Sequence, residues 1–435
     1  MGWVVGCLGA LAGLSAAAPC GAEAPPPTLR VPPGFEVDVF HPGVGRARHI
    51  ETTPAGDLFV RLREPSDGGA IVALRDTDGV GRADREERFA ADGGTGIRWR
   101  DGYLYYSTPY SVLRVPLASG ALRPAEAAEP EPVVEGFPEQ RGHLAKSLDF
   151  DAAGRLYVNS GAPSNSCQKK TRSRGSPGLP DCPQLERQAG IWRFPAGAKG
   201  KQQQDGERFA TGLRNCVALR YDPAGDALHV VMHGRDQLRK LWPGLYDVDA
   251  SANLPAEEMH RLEAGSNAGW PYTYWDGRRQ RRIVSPEYGG DGHRGPKPGL
   301  YQDPEVVFPA HWAPNALLFL RGESWPARFR GGAFVAFHGS WNRGGLGQEG
   351  FLVAFVPFHA GRPSGRWEVF ADGFAGEDFV KDAGDARARP TGLAEGPDGS
   401  LYVADSRRGT IWRIRPPRGG SGEPDARRSA GGSSR

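Results

Sequence analysis

Residues 151–160 read DAAGRLYVNS: an Asp/Gly turn, then a short apolar run that ends on small polar residues. Asp bonds the backbone of such a turn and Gly supplies the positive φ that closes it. A short apolar run bounded by turn residues reads as a strand rather than a helix. The phrase recurs as TPAGDLFV (53–60), RDGYLYYST (100–108), DPAGDALHVVMHG (222–234), FRGGAFVAFHGS (329–340) and GPDGSLYVADS (396–406). A second strand follows several copies, as in SVLRVPL (111–117), GIWRF (190–194), FLVAFVPF (351–358) and GTIWRI (409–414). Each pair reads as a β-hairpin.

Six copies of one β unit predict an all-β fold, a six-bladed β-propeller. A single blade cannot bury both its faces, so blades stack radially and the ring closes to protect its edges. The 62 glycines and 38 prolines fit a chain of many turns, and no stretch supports a long helix. The propeller is expected over residues 29–415, with 238–332 as its longest insertion. Residues 24–28 (APPPT) read as a spacer, and 416–435, rich in Gly, Ser, Arg and Pro, as a disordered tail.

The apolar run from Trp3 to Ala18 reads as a secretory signal peptide cleaved near Ala22 or Ala24, so residues 1–24 are assigned to it. No Lys or Arg precedes the run, and it is too short for a firm membrane span; a retained anchor is the alternative. The expected location is periplasmic or secreted. In that oxidising setting Cys167 and Cys182 are expected to pair, leaving Cys216 as a small core residue. The balance of 54 basic against 51 acidic residues, net +3, gives no reason for nucleic acid or an anionic membrane as partner. The basic cluster at 278–282 (RRQRR) is expected to be a solvated loop.

Polar residues gather beside the repeated strands. Gly142 and His143 precede one; Arg214 and Asn215 precede another; His233, Gly234, Arg235 and Asp236 follow it. Glu257 and Glu258 precede GSNAGWPY, His311 lies in FPAHWAP, His338 to Arg343 spell HGSWNR, and Arg389 opens the last copy. Basic residues from loops of different blades can converge on an anionic planar ligand, because carboxylates removed from water need charged or bidentate donors.

Several segments resemble the soluble quinoprotein sugar dehydrogenases of the glucose/sorbosone type. They include GHLAKSLDFDAAGRLYVNSGAPSN (142–165), FATGLRNCVALRYDP (209–223), HGRDQL (233–238), PAEEMHRLEAGSNAGWPY (255–272), GGAFVAFHGSWNR (331–343) and RPTGLAEGPDGSLYVADS (389–406). The likeness implies pyrroloquinoline quinone (PQQ) on the propeller axis, Ca²⁺, a sugar or polyol substrate, and an external acceptor, a cytochrome or a quinone. The absence of CxxCH leaves the chain without a c-type haem of its own. The resemblance makes His143 the general base, taking the hydroxyl proton as hydride passes to the quinone C5. It makes Arg214 the stabiliser of charge on the quinone oxygens. Asn215, His233, His311, Arg343 and Arg389 become cofactor ligands, and the Gly234 and Arg235 carbonyls the calcium ligands.

Departures are visible. His233 stands where the glucose enzymes have glutamine, Arg235 where they have proline and His311 where they have threonine, and a lysine near Ser340 is missing. These leave the substrate open. Two other readings stand beside the dehydrogenase: a metal-dependent propeller lactonase, using Glu257, Glu258 and Asn215, and a non-catalytic carbohydrate-binding propeller. Residues 76–87 (DTDGVGRADREE) carry carboxylates at alternate positions with Glu87 at the twelfth; a second calcium loop or an Asp/Gly hairpin turn both fit.

Overall fold

The computed structural model describes residues 25–343 and 345–417; the expected signal peptide and residues 418–435 of the expected tail lie outside them. Six sheets, each built on four antiparallel strands, follow one another along the chain. Blade 1 is Ala47–Thr52, Leu58–Ser66, Gly69–Arg75 and Arg85–Phe89. Blade 2 is Ile97–Arg100, Tyr103–Ser107, Val112–Pro116 and Glu131–Glu135, and blade 3 is Leu148–Phe150, Leu156–Ser160, Gly190–Phe194 and Glu207–Thr211. Blade 4 is Ala218–Asp222, Ala227–Met232, Glu257–Leu262 and Val306–Phe308, and blade 5 is Pro314–Phe319, Ala333–His338, Phe351–Val356 and Glu368–Ala371. Blade 6 takes Pro390–Glu395, Leu401–Asp405 and Ile411–Arg415 from the end of the chain and Glu36–His41 from its start. That last pairing, with Glu36 opposite Arg415 and Val39 opposite Trp412, closes the ring.

The first strand of each blade contacts the first strand of the next, all the way round, so these six strands surround the axis. The sequence phrase falls each time on the second strand, with its turn closing the hairpin to the first. In blade 3, Asp151 accepts from the Arg155 amide at 2.9 Å and Gly154 takes φ +80°, as the turn reading requires. Apolar clusters fill the gaps between neighbouring sheets. One joins blades 5 and 6 through Trp325, Phe334, Phe370, Val403 and Trp412, each fully or almost fully buried. Burial of such side chains contributes about 1.5–3 kcal/mol apiece and welds the ring into one unit.

Two expectations change, and of two open readings at residues 76–87 one is found. Residues 238–332 are not one insertion: they hold the two outer strands of blade 4, the first strand of blade 5 and a hairpin, Thr273–Asp276 with Arg281–Val284. Within the basic cluster, Arg282 is buried and meets Glu258 at 2.8 Å, while Arg278, Arg279 and Arg281 are exposed at the hairpin tip. Residues 76–87 form a hairpin turn. Asp76 accepts from the amides of Gly79 and Gly81 at 2.8 Å, Asp84 accepts from the Thr77 amide at 2.8 Å, and Glu87 lies inside the last strand of blade 1. The carboxylates are spent on the turn, and a twelve-residue calcium loop is not assembled.

The Cys167–Cys182 disulfide is present and Cys216 is free and buried. No helix among the described residues is long and apolar enough to cross a membrane.

Candidate active site

The first strands begin, and the second strands end, on one face of the ring. That arrangement builds a cavity of about 400 Å³ over the axis. Every blade contributes: Arg48 of blade 1, Thr95 before blade 2, His143 before blade 3, Asn215 before blade 4, Asn315 of blade 5 and Arg389 before blade 6. The ends of second strands add Arg63, His233 and His338. Arg141 and Trp341 complete the rim; Trp341 is 51 % exposed. Among the described residues, no Asp or Glu lines the cavity.

Five of the residues singled out from sequence therefore meet: His143, Asn215, His233, His338 and Arg389. Asn215 offers a buried Oδ1 without a hydrogen-bond partner, and Arg48 an equally orphaned Nε. An unpaired buried acceptor and an unpaired charged donor in one cavity are costly unless a ligand meets them. Arg389 is held by Nε to the His338 carbonyl at 2.8 Å and by Nη2 to the Gly339 carbonyl at 2.7 Å. Burial, with repulsion from Arg63, Arg46 and Arg389, pushes Arg48 down to about 10; burial and Arg407 push Arg389 to about 10. Both remain cationic at neutral pH.

The histidines are neutral. His143 Nδ1 lies 2.6 Å from the Ala162 carbonyl, which only accepts, so the proton sits on Nδ1 and Nε2 carries the lone pair. Burial and the nearby Arg214 push this imidazole down to about 3. Its backbone sits at φ +51°, in the left-handed region that non-glycine residues rarely adopt. Such a conformation persists only where its surroundings enforce it. Gly161 is part of that enforcement: a Cβ there would lie 2.7 Å from both Asn215 Oδ1 and His143 Cβ. His233 is the mirror case. Its Nε2 donates to the Pro314 carbonyl at 2.7 Å, Nδ1 is bare, and burial holds the ring at about 4.

The remaining residues expected at the site do not line this cavity. Arg214 turns away from its neighbour Asn215 into a buried network. Its guanidinium donates to the Asn165 carbonyl (3.2 Å), Asn165 Oδ1 (3.2 Å), the Gly234 carbonyl (2.7 Å) and Asp236 Oδ2 (2.9 Å). Asp236 is held down at about 2: Arg214 leads the charges that outweigh its burial. His311 Nε2 donates to the Ser251 carbonyl (3.0 Å), and its Nδ1 stands 4.0 Å from Asp236. Arg343 is tied to the Gly347 carbonyl at 3.0 Å and to Glu349 at 2.9 Å. Arg235 is buried in an ion pair with Glu287. Glu257 accepts from the Gly234 and Ala313 amides at 2.7 and 3.2 Å, and burial pushes it up to about 8.

The groups present fit an anionic, planar ligand such as PQQ: guanidinium donors from three sides, one orphaned amide oxygen as acceptor, and no carboxylate. They do not fit calcium at the expected place. The Gly234 carbonyl already accepts from Arg214, so a cation there would face a guanidinium. Among the described residues no group of three His, Cys, Asp or Glu side chains is arranged to hold a metal ion.

Sequence reasoning missed Arg48, Arg63, Arg141 and Asn315, which line the same cavity. Their common signal is position: they flank the inner ends of blade strands, as the recognised ones do.

A family model described as TrAA12-like matches residues 29–277 and 296–416. The chain belongs to that family. Among curated proteins, a pyrroloquinoline quinone-dependent pyranose dehydrogenase of Coprinopsis cinerea is 28 % identical over 242 residues, covering 49 % of this chain and 32 % of that protein. An uncharacterized protein of Borreliella burgdorferi is 27 % identical over 210 residues, 48 % of each. The chain thus spans half or less of the length of the curated relatives it matches. Among solved structures, the holo PQQ domain of the Coprinopsis cinerea pyranose dehydrogenase superposes with a TM-score of 0.70 at 21 % identity, over 91 % of this chain and 99 % of that one. A calcium structure of the Trichoderma reesei family AA12 enzyme gives 0.69 at 18 % identity, over 90 % and 97 %. A PQQ-bound aldose sugar dehydrogenase from Streptomyces coelicolor gives 0.51 at 17 % identity, over 90 % and 100 %. At these identities the likeness establishes the fold: TrAA12-like chains share the propeller of the PQQ-dependent sugar dehydrogenases.

Proposed function

We propose that this protein is an exported quinoprotein dehydrogenase that binds PQQ in the axial cavity and oxidises a sugar or related alcohol. The observation that carries the reading is one cavity that combines arginines from several blades, no carboxylate, and a neutral imidazole with a bare nitrogen. When bound, the quinone supplies the two-electron acceptor, and an external cytochrome or quinone then takes the electrons. Arg48, Arg63, Arg141 and Arg389 hold its carboxylates, and Asn215 Oδ1 accepts from a donor on the ligand. His143 Nε2 takes the proton of the substrate hydroxyl, while the Ala162 carbonyl keeps the opposite nitrogen protonated throughout. Trp341 at the rim offers an aromatic face to a sugar ring. Arg214 acts as a positioning residue that ties Asn165, Gly234 and Asp236 together, rather than as a group at the reacting atoms. Calcium on the Gly234 and Arg235 carbonyls would first require Arg214 to release Gly234, so no step is assigned to it.

The lactonase reading needs carboxylates around a central metal, and the cavity wall has none. The carbohydrate-binding reading is separated by turnover. Export accords with the Cys167–Cys182 bridge, since disulfides persist in oxidising compartments. The test is PQQ-dependent dye reduction by the purified protein across a panel of aldoses, ketoses and sorbosone, with and without calcium. Saturable PQQ-dependent turnover supports the reading. Hydrolysis of lactones without an acceptor, or sugar binding without turnover in the presence of bound PQQ, would replace it.

A further inference from the structure

The axial cavity adjoins a second one of about 370 Å³, and the two share Arg48, Arg63, His338 and Arg389 as their common wall. The second cavity adds Arg46 and Arg407, and again no Asp or Glu lines it. On the other side, Trp341 also borders a groove of about 640 Å³ whose charged residues are Arg174, Arg239, Lys240 and Lys381 against one carboxylate, Asp382. Cations therefore flank the site on both sides.

Sugar hydroxyls both donate and accept, so a site for a neutral sugar is served by a mixture of donors and acceptors. A wall of guanidiniums without a carboxylate supplies donors alone and concentrates positive charge, which favours anions and steers them inward. The axial arginines already match the carboxylates of the quinone; Arg46 and Arg407 lie beyond them, in the second cavity only. Both are partly engaged at its edge, Arg46 with Glu64 at 3.0 Å and Arg407 with the Gly384 and Ala386 carbonyls, and both keep further N–H groups for a ligand.

We propose that the substrate is an anionic sugar, whose acidic group is held by Arg46 and Arg407 while its hydroxyl-bearing carbon faces His143. This rests on the dehydrogenase reading above and names the substrate class of that same site. The acidic group takes no part in the electron transfer; it anchors and orients. A carboxylate and a sulfate ester share the required chemistry, so glucuronate, glucose 6-sulfate and glucose form the discriminating set.

Two measurements on the full chain test this. Titration calorimetry with glucuronate, glucose 6-sulfate and glucose, with and without PQQ, reads sugar binding directly. PQQ-dependent dye reduction then gives KM for each sugar. At low salt, an acidic sugar is expected to bind at least about tenfold more tightly than glucose, and most of that advantage is lost at about 0.5 M salt, where the Debye length shrinks to a few ångströms. Whichever acidic sugar binds more tightly identifies the acidic group. The R46M/R407M variant is expected to raise KM for that sugar about tenfold while the PQQ titration is unchanged. Equal or weaker binding of the acidic sugars with PQQ bound would overturn the inference and leave the quinoprotein reading standing. Loss of PQQ binding in R46M/R407M would also overturn it, by assigning the second cavity to the cofactor. Salt-sensitive binding of an acidic sugar by a protein that takes up no PQQ would keep the anionic-sugar site but overturn its role as substrate together with the dehydrogenase.

Discussion

Replacing His143 by alanine isolates the chemical role of one nitrogen. The Ala162 carbonyl at 2.6 Å fixes the proton on Nδ1, so Nε2 is the nitrogen left to accept the substrate proton. Loss of a positioned general base costs about 10²–10⁴ in rate, or about 3–5 kcal/mol on the barrier. The H143A variant should therefore show kcat reduced at least about 100-fold, with PQQ affinity within about threefold of the parent, because Arg48, Arg63, Arg141 and Arg389 are untouched. Stopped-flow reduction of the bound quinone measures the step; an absorbance titration measures the cofactor. His233 is the built-in control, since it is also neutral and also has one bare nitrogen, here Nδ1. Unchanged kcat in H143A, or a 100-fold loss in H233A in its place, would refute the assignment. The free protein offers an independent check. With its pKa near 3, the His143 ring should show no titration between about pH 5 and 8 by NMR, where an ordinary imidazole with pKa of about 6.5 passes through its midpoint.

Further outcomes follow from the same geometry. His49 is buried, donates from Nε2 to the Asn315 carbonyl at 2.8 Å, and is pushed down to about 3 chiefly by burial and Arg98. A depressed folded-state pKa contributes stability above the unfolded value of about 6.5 that is lost as pH falls toward 3; going from pH 7 to 5 should cost about 2 kcal/mol, and a urea series on H49Q should show that slope flattened. Gly161→Ala should perturb His143 and Asn215 and lower kcat, with a stability loss of about 1–3 kcal/mol from overpacking, read by thermal melting; an unchanged kcat would count against the packing argument. Reducing the Cys167–Cys182 bridge, which spans 15 positions, should cost about 3 kcal/mol in urea unfolding, and buried Cys216, whose thiol burial pushes up, should not replace either partner.

The fold was legible because each second strand carries its own turn. Leu156–Ser160 and Leu401–Asp405 announce themselves through the Asp/Gly turns before them. Glu257–Leu262, EEMHRL, is hidden for the opposite reason: its two carboxylates are buried, Glu258 against Arg282 and Glu257 on backbone amides, so it mimics a loop. The site was legible in part. His143, Asn215, His233 and Arg389 stand in segments whose order along the chain marks them. Arg48 and Arg63 carry no motif, and among 54 basic residues nothing but their place at strand ends distinguishes them. Arg214 shows the converse limit. It is adjacent to Asn215 in sequence, yet the alternation at the strand entry sends one side chain into the cavity and the other into the Asp236 network.

The central claim is that the axial cavity is built for an anionic quinone, and an equilibrium titration of the purified protein with PQQ tests it most directly. The account predicts saturable binding of one PQQ per chain, weakened by salt, and weakened about 10–100-fold in R48M as a charge-assisted contact is lost. Absence of saturable binding, or binding indifferent to both Arg48 and Arg389, would contradict it.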